Sequence, residues 1–273
     1  MTELITEMFS YHFMSRAIIV GVLVSLCAAL LGVSLVLKRY SMIGDGLSHV
    51  GFGALAIAAA VNVAPLAIAV PVVVAAAFLL LRISQSSRIK GDAAIALISS
   101  RALAIGVVVI SMRTGMNTDV SNYMFGSILS LRHTDAVLSI VLSAIVLLMF
   151  VLLYPRIFAV TFDETFAKAT GTNAKLYNTV IAVLTAVTVV LGMRMMGALL
   201  ISSLIIFPAL TSMRLCRSFK AVVVFSAVIS VVCFVLGMAA SYAFELPSGA
   251  SVVIVNIAAF LLFSIASLLK RRT

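Results

Sequence analysis

Tryptophan is absent from this sequence, and charged residues occupy only 10% of its 273 positions, against roughly 25% in an average soluble domain. Hydrophobic residues make up 63% of the chain, and the mean hydropathy is +1.26. This composition excludes a water-soluble domain of any size and predicts a polytopic membrane protein. Any aromatic belt at the membrane interface must then be formed by Tyr and Phe.

Several motifs that carry enzyme chemistry are also missing. The chain has no GxxxxGK[ST] phosphate loop, no HExxH zinc-protease motif and no GxSxG nucleophile elbow. The three cysteines, Cys27, Cys216 and Cys233, form no CxxC pair, so we interpret them as small hydrophobic residues. The chain therefore does not bind ATP by a phosphate loop, and we expect no covalently bound cofactor. If it works with ATP, hydrolysis takes place in a separate chain.

Long apolar runs dominate the chain, and a helix needs roughly 20 mostly apolar residues to cross a bilayer. Nine candidate spans meet this requirement: about 17–37, 42–61, 65–83, 93–112, 135–154, 176–193, 196–213, 221–244 and 250–269. The run 176–213 is interrupted only by Gly192 and Arg194, so eight spans remain an alternative. We therefore expect an all-α fold, a polytopic membrane helix bundle with eight or nine transmembrane helices. Residues 1–273 form a single transmembrane domain, in which residues 1–14 are an interfacial lead-in.

The distribution of basic residues indicates how the chain is oriented. If the first span runs from outside to inside, most of the 19 Lys and Arg residues fall at cytoplasmic ends. The positive-inside rule then predicts an external N-terminus and a cytoplasmic C-terminus. The net charge of +10 follows from these topology determinants and their contact with anionic membrane lipid, and we expect no nucleic-acid partner.

Two side chains that can ligate metals lie at the start of the second apolar run, in SMIGDGLSHVGFGALAIAAAV. Asp45 and His49 are four residues apart and share one helical face. A carboxylate and an imidazole suit Zn²⁺ or Mn²⁺, and polar groups at membrane depth usually line a pathway. The alternative is structural: Asp45 caps the helix near Lys38 and Arg39, and His49 is a hydrogen-bonded core residue. The glycines of this run would let another helix, or a second copy, approach closely; they are Gly44, Gly46, Gly51 and Gly53.

The segment 155–175 is the only internal polar segment long enough to do more than turn. Asp163 and Glu164 are expected to open a short helix, where acids complement the helix dipole, and Gly171 to close it. Such a helix on the cytoplasmic side could bind a soluble partner, and a solvated loop is the alternative. The matching pattern F-D-E-x-x-A-x-x-x-G comprises Phe162, Asp163, Glu164, Ala167 and Gly171.

Other polar residues in apolar surroundings have mainly structural interpretations. Pro208 is expected to bend its helix, and Ser202 and Ser203 could bond the freed carbonyl or line a pathway. Arg101 could pair with an acid across the bundle or extend to the membrane edge. The remaining candidates are Arg194, for which a structural role is favoured, and His12 and His133, which lie near the outer surface.

Taken together, these segments resemble the permease subunits of zinc/manganese ABC importers. The resemblance extends roughly over residues 13–269. It rests on six segments in order: SMIGDGLSHVGFGALAIA, GDAAIALISSRALAIGV, NYMFGSIL, FDETFAKATG, MGALLISSLIIFPALTS and PSGASVVIVN.

The resemblance implies a homodimer in a bacterial cell membrane that works with cytoplasmic ATPase subunits and an extracellular metal-binding lipoprotein. The family's D-x-x-S-H motif falls on residues 45–49, so Asp45 and His49 would line the metal path. The segment 155–175 would be the coupling segment that is seated in the ATPase. The transported ion is expected to be Zn²⁺, with Mn²⁺ or iron as the alternative.

Two alternatives come from other functional classes. An intramembrane metalloenzyme would need a third protein ligand and a general base near Asp45 and His49, and none is apparent in the sequence. A stand-alone secondary transporter would not need the pattern at 162–171. Copurification with an ATPase distinguishes the latter from an ABC permease.

Overall fold

The structure is a computed structural model, which describes residues 12–86, 91–112 and 133–270. Within these ranges all regular structure is helical, and eleven helices follow one another along the chain. They are α1 (His12–Leu37), α2 (Ile43–Val61), α3 (Pro65–Ser86), α4 (Gly91–Met112), α5 (His133–Leu152), α6 (Tyr154–Phe162), α7 (Glu164–Ala169), α8 (Ala174–Met196), α9 (Ala198–Leu215), α10 (Phe219–Phe244) and α11 (Ser248–Lys270).

Each of the nine predicted apolar stretches forms a helix, so the all-α fold is confirmed. Eight of the described helices are long and apolar enough to cross a membrane, and the apolar part of α9, Leu200–Leu215, is shorter. The break between α8 and α9 lies at Gly197, which has a positive φ of 87°. The predicted interruption at Gly192 and Arg194 is wrong, because both residues continue α8. A single glycine with a positive φ breaks the helix more effectively than an arginine, which is a good helix former.

The spans differ in how deeply they are buried. About 72% of the apolar window of both α1 and α2 is buried inside the bundle, against 11% for α11. Helix α1 packs against α5, α8, α9 and α10, and α2 packs against α3, α4, α8 and α9. The helix with the predicted metal ligands is therefore surrounded by other helices of its own chain.

The glycines of α2 explain this close packing. A Cβ atom added at Gly53 would lie 2.7 Å from the backbone oxygen of Ala102 on α4, so a larger residue would push the two helices apart. The nearest side chains at Gly44, Gly46 and Gly51 come from α9, α4 and α8 of the same chain. The sequence left open whether another helix or a second copy of the chain approaches these glycines. At all four of them the structure shows another helix of the same chain.

The short helices α6 and α7 lie at the end of the bundle where α1 ends and α8 begins. Helix α6 contacts α1, α5 and α8, and α7 contacts α6 and α8. The rings of Phe158 and Tyr154 on α6 pack on Phe219 at the start of α10, with ring centroids 5.0 and 5.8 Å apart. This end of the bundle thus brings together the predicted coupling segment and the turn that precedes α2. Residues 1–11 of the predicted lead-in lie outside the described residues, and His12 to Met14 begin α1.

Candidate metal site

Asp45 and His49 face each other on α2, as their spacing predicts. The Nε2 atom of His49 is 3.7 Å from Oδ2 of Asp45, and the two side chains are 24% and 37% exposed. Since this separation exceeds hydrogen-bond distance, neither side chain saturates the other. Both groups keep lone pairs available to a cation.

The structural alternative for Asp45 is not supported. The N-cap residue of α2 is Met42, and no side chain caps the helix there. The ammonium group of Lys38 bonds to other helices, as described below. Asp45 lies in the first turn, where a carboxylate is favoured by the helix dipole.

A serine of α9 completes the surroundings of Asp45. The hydroxyl of Ser202 lies 3.4 Å from Oδ1 of Asp45 and 3.3 Å from the carbonyl oxygen of Ala198, and these two acceptors share its single hydrogen. Asp45 and Ser202 are 157 residues apart in sequence. The carboxylate of Asp45, the imidazole of His49 and the hydroxyl of Ser202 therefore lie together, and these three potential metal ligands come from two helices.

Ser203 and Pro208 have a different environment from the one predicted. Neither Ser202 nor Ser203 bonds a carbonyl freed by Pro208, and the Ser203 hydroxyl is buried without a hydrogen-bond partner among the described residues. Both serines line a largely apolar cavity of about 390 Å³ between α9 and α11. The predicted bond to the carbonyl freed by Pro208 is therefore wrong, and lining a pathway stays a prediction.

The protein groups near Asp45 do not form a complete metal cage. Within the described ranges, no cluster of three or more His, Cys, Asp or Glu side chains has the proximity to hold a metal ion. A structural or catalytic zinc site usually needs at least three protein ligands. Within the described part of one copy of this chain, Asp45 and His49 are thus two potential ligands without a third His, Cys, Asp or Glu side chain beside them.

The short helix α7 has the local structure that the sequence predicts. Asp163 is its N-cap, and its Oδ1 accepts a hydrogen bond from the backbone N–H of Phe166 at 2.9 Å. At the other end Gly171 has a φ of 81°, and the amides of Gly171 and Thr172 donate to the carbonyls of Lys168 and Ala167. These two bonds form a Schellman motif. Both ends of the helix are therefore encoded locally.

Helix α7 is anchored on one side and open on the other. Ala167 is fully buried against Val160 and Ala174. In contrast, the rings of Phe162 and Phe166 are 69% and 65% exposed. The sequence singled out Phe162 but not Phe166, although exposed aromatic residues on a short helix are typical of a binding surface.

Lys38 is a further residue that sequence reasoning missed in this role. Its Nζ donates to the Val160 carbonyl at 3.0 Å and to Oδ1 of Asn178, and lies 3.5 Å from Oε2 of Glu164. Glu164 also bonds to Lys168 at 2.8 Å and accepts from Asn178 at 3.0 Å. The hydrogen bond from Lys168, with those from Asn178 and the charge of Lys38, lowers the pKa of Glu164 to about 2 although partial burial opposes the shift. Burial lowers the pKa of Lys38, and Glu164 opposes that shift.

The remaining polar candidates lie in different environments. Arg194 forms a largely buried ion pair with Asp135 of α5, which agrees with its predicted structural role. Arg101 is exposed on α4 and thus does not point into the bundle. The side chains of His12 and His133 lie outside the described residues. All three cysteines are free, as expected.

The described residues thus form a bundle of apolar helices, eight of which are long and apolar enough to cross a membrane. Residues 10–267 match the model of the ABC 3 transport family, so the chain belongs to that family. It is similar to the manganese transport system membrane protein MntC of Listeria monocytogenes, with 30% identity over 96% of this chain and 92% of that protein. It is also similar to the high-affinity zinc uptake system membrane protein ZnuB of Haemophilus influenzae, with 28% identity over 96% and 98% of the two chains.

A solved structure shows the same architecture. The chain superposes on a chain of PsaBC from Streptococcus pneumoniae, determined in complex with Fab, with a TM-score of 0.85 and 29% identity. The match covers 96% of this chain and 94% of that chain. The protein is a multi-pass membrane permease subunit of the ABC type, and membership of this family excludes a stand-alone secondary transporter.

Proposed function

We propose that this chain forms the membrane pathway of an importer for a divalent transition-metal ion, zinc or manganese. The observation that carries the proposal is the open pair of Asp45 and His49 on one face of α2, with Ser202 beside it. Carboxylate, imidazole and hydroxyl donors suit both ions. The names of the relatives include both a manganese and a zinc transport protein, which agrees with this donor set.

The partial site supports a homodimer. Asp45 and His49 supply two strong ligands from one copy, and zinc is usually held by four. If the pairs face each other across an interface, two copies would supply four ligands, which suits Zn²⁺, and added waters would suit Mn²⁺. Such a site should hold the ion transiently, because closed, tight coordination would trap it.

The end of the bundle with α6 and α7 would then face the cytoplasm. The described basic residues near this end include Lys38, Arg39, Arg156, Lys168 and Lys175. An excess of Lys and Arg is the mark of cytoplasmic ends. This orientation agrees with an external N-terminus and a cytoplasmic C-terminus.

Helix α7 is the surface that would receive the cytoplasmic ATPase. Its two ends are capped, its inner face is fixed by Ala167, and the rings of Phe162 and Phe166 are exposed. A short rigid helix with exposed aromatic rings can insert into a groove of a partner. The segment 155–175 is therefore proposed as the coupling segment, and an extracellular metal-binding lipoprotein would deliver the ion at the opposite end.

The experiment that tests this function is uptake of radiolabelled Zn²⁺ and Mn²⁺ by cells that carry the complete transporter. Asp45→Ala and His49→Ala are compared with the wild type and with Glu245→Gln, which alters an exposed carboxylate after α10. We expect both site variants to assemble normally and to lose at least 90% of uptake, while Glu245→Gln transports normally. The ion whose uptake is lost identifies the substrate, and zinc is the ion that the sequence favours. Normal uptake by both site variants would exclude the pair from the pathway.

A further inference from the structure

The ammonium group of Lys38 connects three helices at the end of the bundle where α7 lies. It donates to a backbone carbonyl of α6 at 3.0 Å and to Asn178 of α8, and pairs with Glu164 of α7 at 3.5 Å. A lysine ammonium has three N–H donors, and each of them has a partner here. The side chain is only 10% exposed, so these contacts are largely shielded from water.

The position of Lys38 in the chain joins this network to the candidate metal site. Lys38 directly follows the last residue of α1, and Asp45 lies seven residues later in the first turn of α2. The intervening turn is closed by hydrogen bonds from the amide of Tyr40 to Leu35 at 2.8 Å and from Ile43 to Tyr40 at 3.0 Å. The turn is short and closed by hydrogen bonds, so its length and shape change little. A displacement of Lys38 is therefore expected to move the start of α2.

The opposite end of the network is equally well defined. Glu164 is the first residue of α7, directly after the N-cap Asp163. Asn178 bonds both to Lys38 and to Glu164, so the three side chains form a closed triangle. A movement of α7 is thus transmitted to Lys38 by polar contacts whose geometry is directional, unlike apolar contacts that can slide.

An ion pair of this kind is not needed to hold the helices together. Apolar side chains could join α1, α6 and α8 without the desolvation of an ammonium group, and buried ion pairs often add little net stability. The exposed rings of Phe166 on α7 and of Phe162 at the end of α6 are on the surface where an external force would be applied. A movement of α7 would therefore reach Asp45 through the polar contacts of Lys38.

We propose that Lys38 is a positioning residue that transmits the movement of α7 to the first turn of α2 and so changes the position of Asp45 relative to Ser202 on α9. This inference rests on the proposed function, in which α7 is moved by an ATPase. Lys38 does not touch the transported ion. Its role is to couple ATP hydrolysis to release of the metal.

The test measures metal transported per ATP hydrolysed, with the permease and its ATPase partner reconstituted together in lipid vesicles. In Lys38→Met, ATP hydrolysis is expected to stay within twofold of the wild type, while the transport ratio falls at least tenfold. Lys38→Arg retains the charge and several donors, and should recover a substantial part of the ratio. Arg39→Met removes the adjacent exposed cation and serves as the matched control, with an unchanged ratio.

The opposing outcomes are distinct. An unchanged ratio in Lys38→Met, or loss of transport only in proportion to loss of assembled complex, would overturn the coupling role. Glu164→Gln removes the negative charge that pairs with Lys38 and Lys168 and provides the second test if Lys38→Met does not assemble. Its ratio should fall as well, and an unchanged ratio overturns the proposal. A wild-type complex that hydrolyses ATP but moves neither Zn²⁺ nor Mn²⁺ would instead refute the proposed function, and this inference with it.

Discussion

The guanidinium of Arg194, near the end of α8, donates to the carboxylate of Asp135, at the start of α5. The two side chains are only 18% and 15% exposed, so this pair fixes two helices at the end of the bundle opposite α7. Removing one partner of a buried pair leaves an uncompensated charge, which is strongly destabilising. We expect Asp135→Asn and Arg194→Met each to lower the free energy of unfolding by about 3–5 kcal/mol.

Thermal unfolding in detergent measures this loss. The double variant Asp135→Asn with Arg194→Met should be less destabilised than the sum of the two single variants, because neither charge is left alone. Strictly additive effects would show that the ion pair contributes nothing specific.

The hydroxyl of Ser202 should influence metal affinity through Asp45. Its hydrogen bond to Oδ1 is long, at 3.4 Å, so we expect a modest contribution on the order of 1 kcal/mol. Ser202→Ala should therefore raise the KM for metal uptake several-fold and leave assembly unchanged. Ser203→Ala removes the adjacent hydroxyl, which lacks a described partner, and is the matched control. Equal effects of the two variants would assign both serines to the cavity and not to the metal site.

A thiolate at the same position should alter ion selectivity. Sulfur ligands favour zinc, whereas oxygen ligands suit manganese. Ser202→Cys is expected to increase the ratio of Zn²⁺ to Mn²⁺ uptake relative to the wild type. Competition between the two labelled ions measures the ratio directly, and an unchanged ratio would place Ser202 out of reach of the ion.

The C-terminal end of α7 should depend on glycine at position 171. With a φ of 81°, this residue occupies the left-handed region, although a Cβ there would meet nothing within 4 Å. Substitution is therefore expected to act through backbone strain alone, at about 1–2 kcal/mol. Gly171→Val should increase amide hydrogen exchange in α7, and Gly171→Asn, which tolerates this conformation, should do so less. Equal exchange in both variants would show that the Schellman motif does not hold the helix end.

Acid should loosen the contact between α7 and the rest of the bundle. The hydrogen bond from Lys168, with those from Asn178 and the charge of Lys38, holds the pKa of Glu164 at about 2, below its ordinary value of 4.5. A carboxyl whose pKa is depressed in the folded state contributes stability above pH 4.5, and this contribution is lost as the pH falls through 4.5 toward 2. Since the side chain is 37% exposed, solvent screening makes the contribution small.

The comparison of wild type with Glu164→Gln isolates this group. The wild type should show slower amide exchange at the start of α7 near pH 6, and the difference should shrink as the pH falls below 4.5. A difference that stays constant down to pH 2.5 would show that the network does not depend on the charge of Glu164.

Local features of the site followed from the sequence. The four-residue spacing of Asp45 and His49 places them on one face in any α-helix, so their proximity needed no tertiary information. The same holds for Asp163 and Gly171, whose side-chain and backbone preferences determine the two ends of α7. The position of the break between α8 and α9 was missed. Gly192 and Gly197 are the same residue type, so the sequence does not show that only Gly197 takes a positive φ.

Contacts between segments that are distant in the chain could not be predicted from the sequence in the same way. Ser202 reaches Asp45 across 157 residues, and Lys38 reaches Glu164 across 126. In a chain where nearly every span is apolar, hydropathy does not distinguish the side that faces lipid from the side that faces another helix. Phe166 illustrates the same difficulty, since its exposure depends on which face of α7 is occupied by Ala167 and its neighbours.

The sequence by itself determined the membrane-spanning helices, the pairing of Asp45 with His49 and the caps of α7, because each depends on residues within a few positions of one another. Only the tertiary structure decided which helices fill the glycine face of α2, which serine lies beside Asp45 and where the ammonium group of Lys38 binds. These contacts depend on how the helices pack, and packing is determined by side-chain shapes from the whole chain and not by any local pattern.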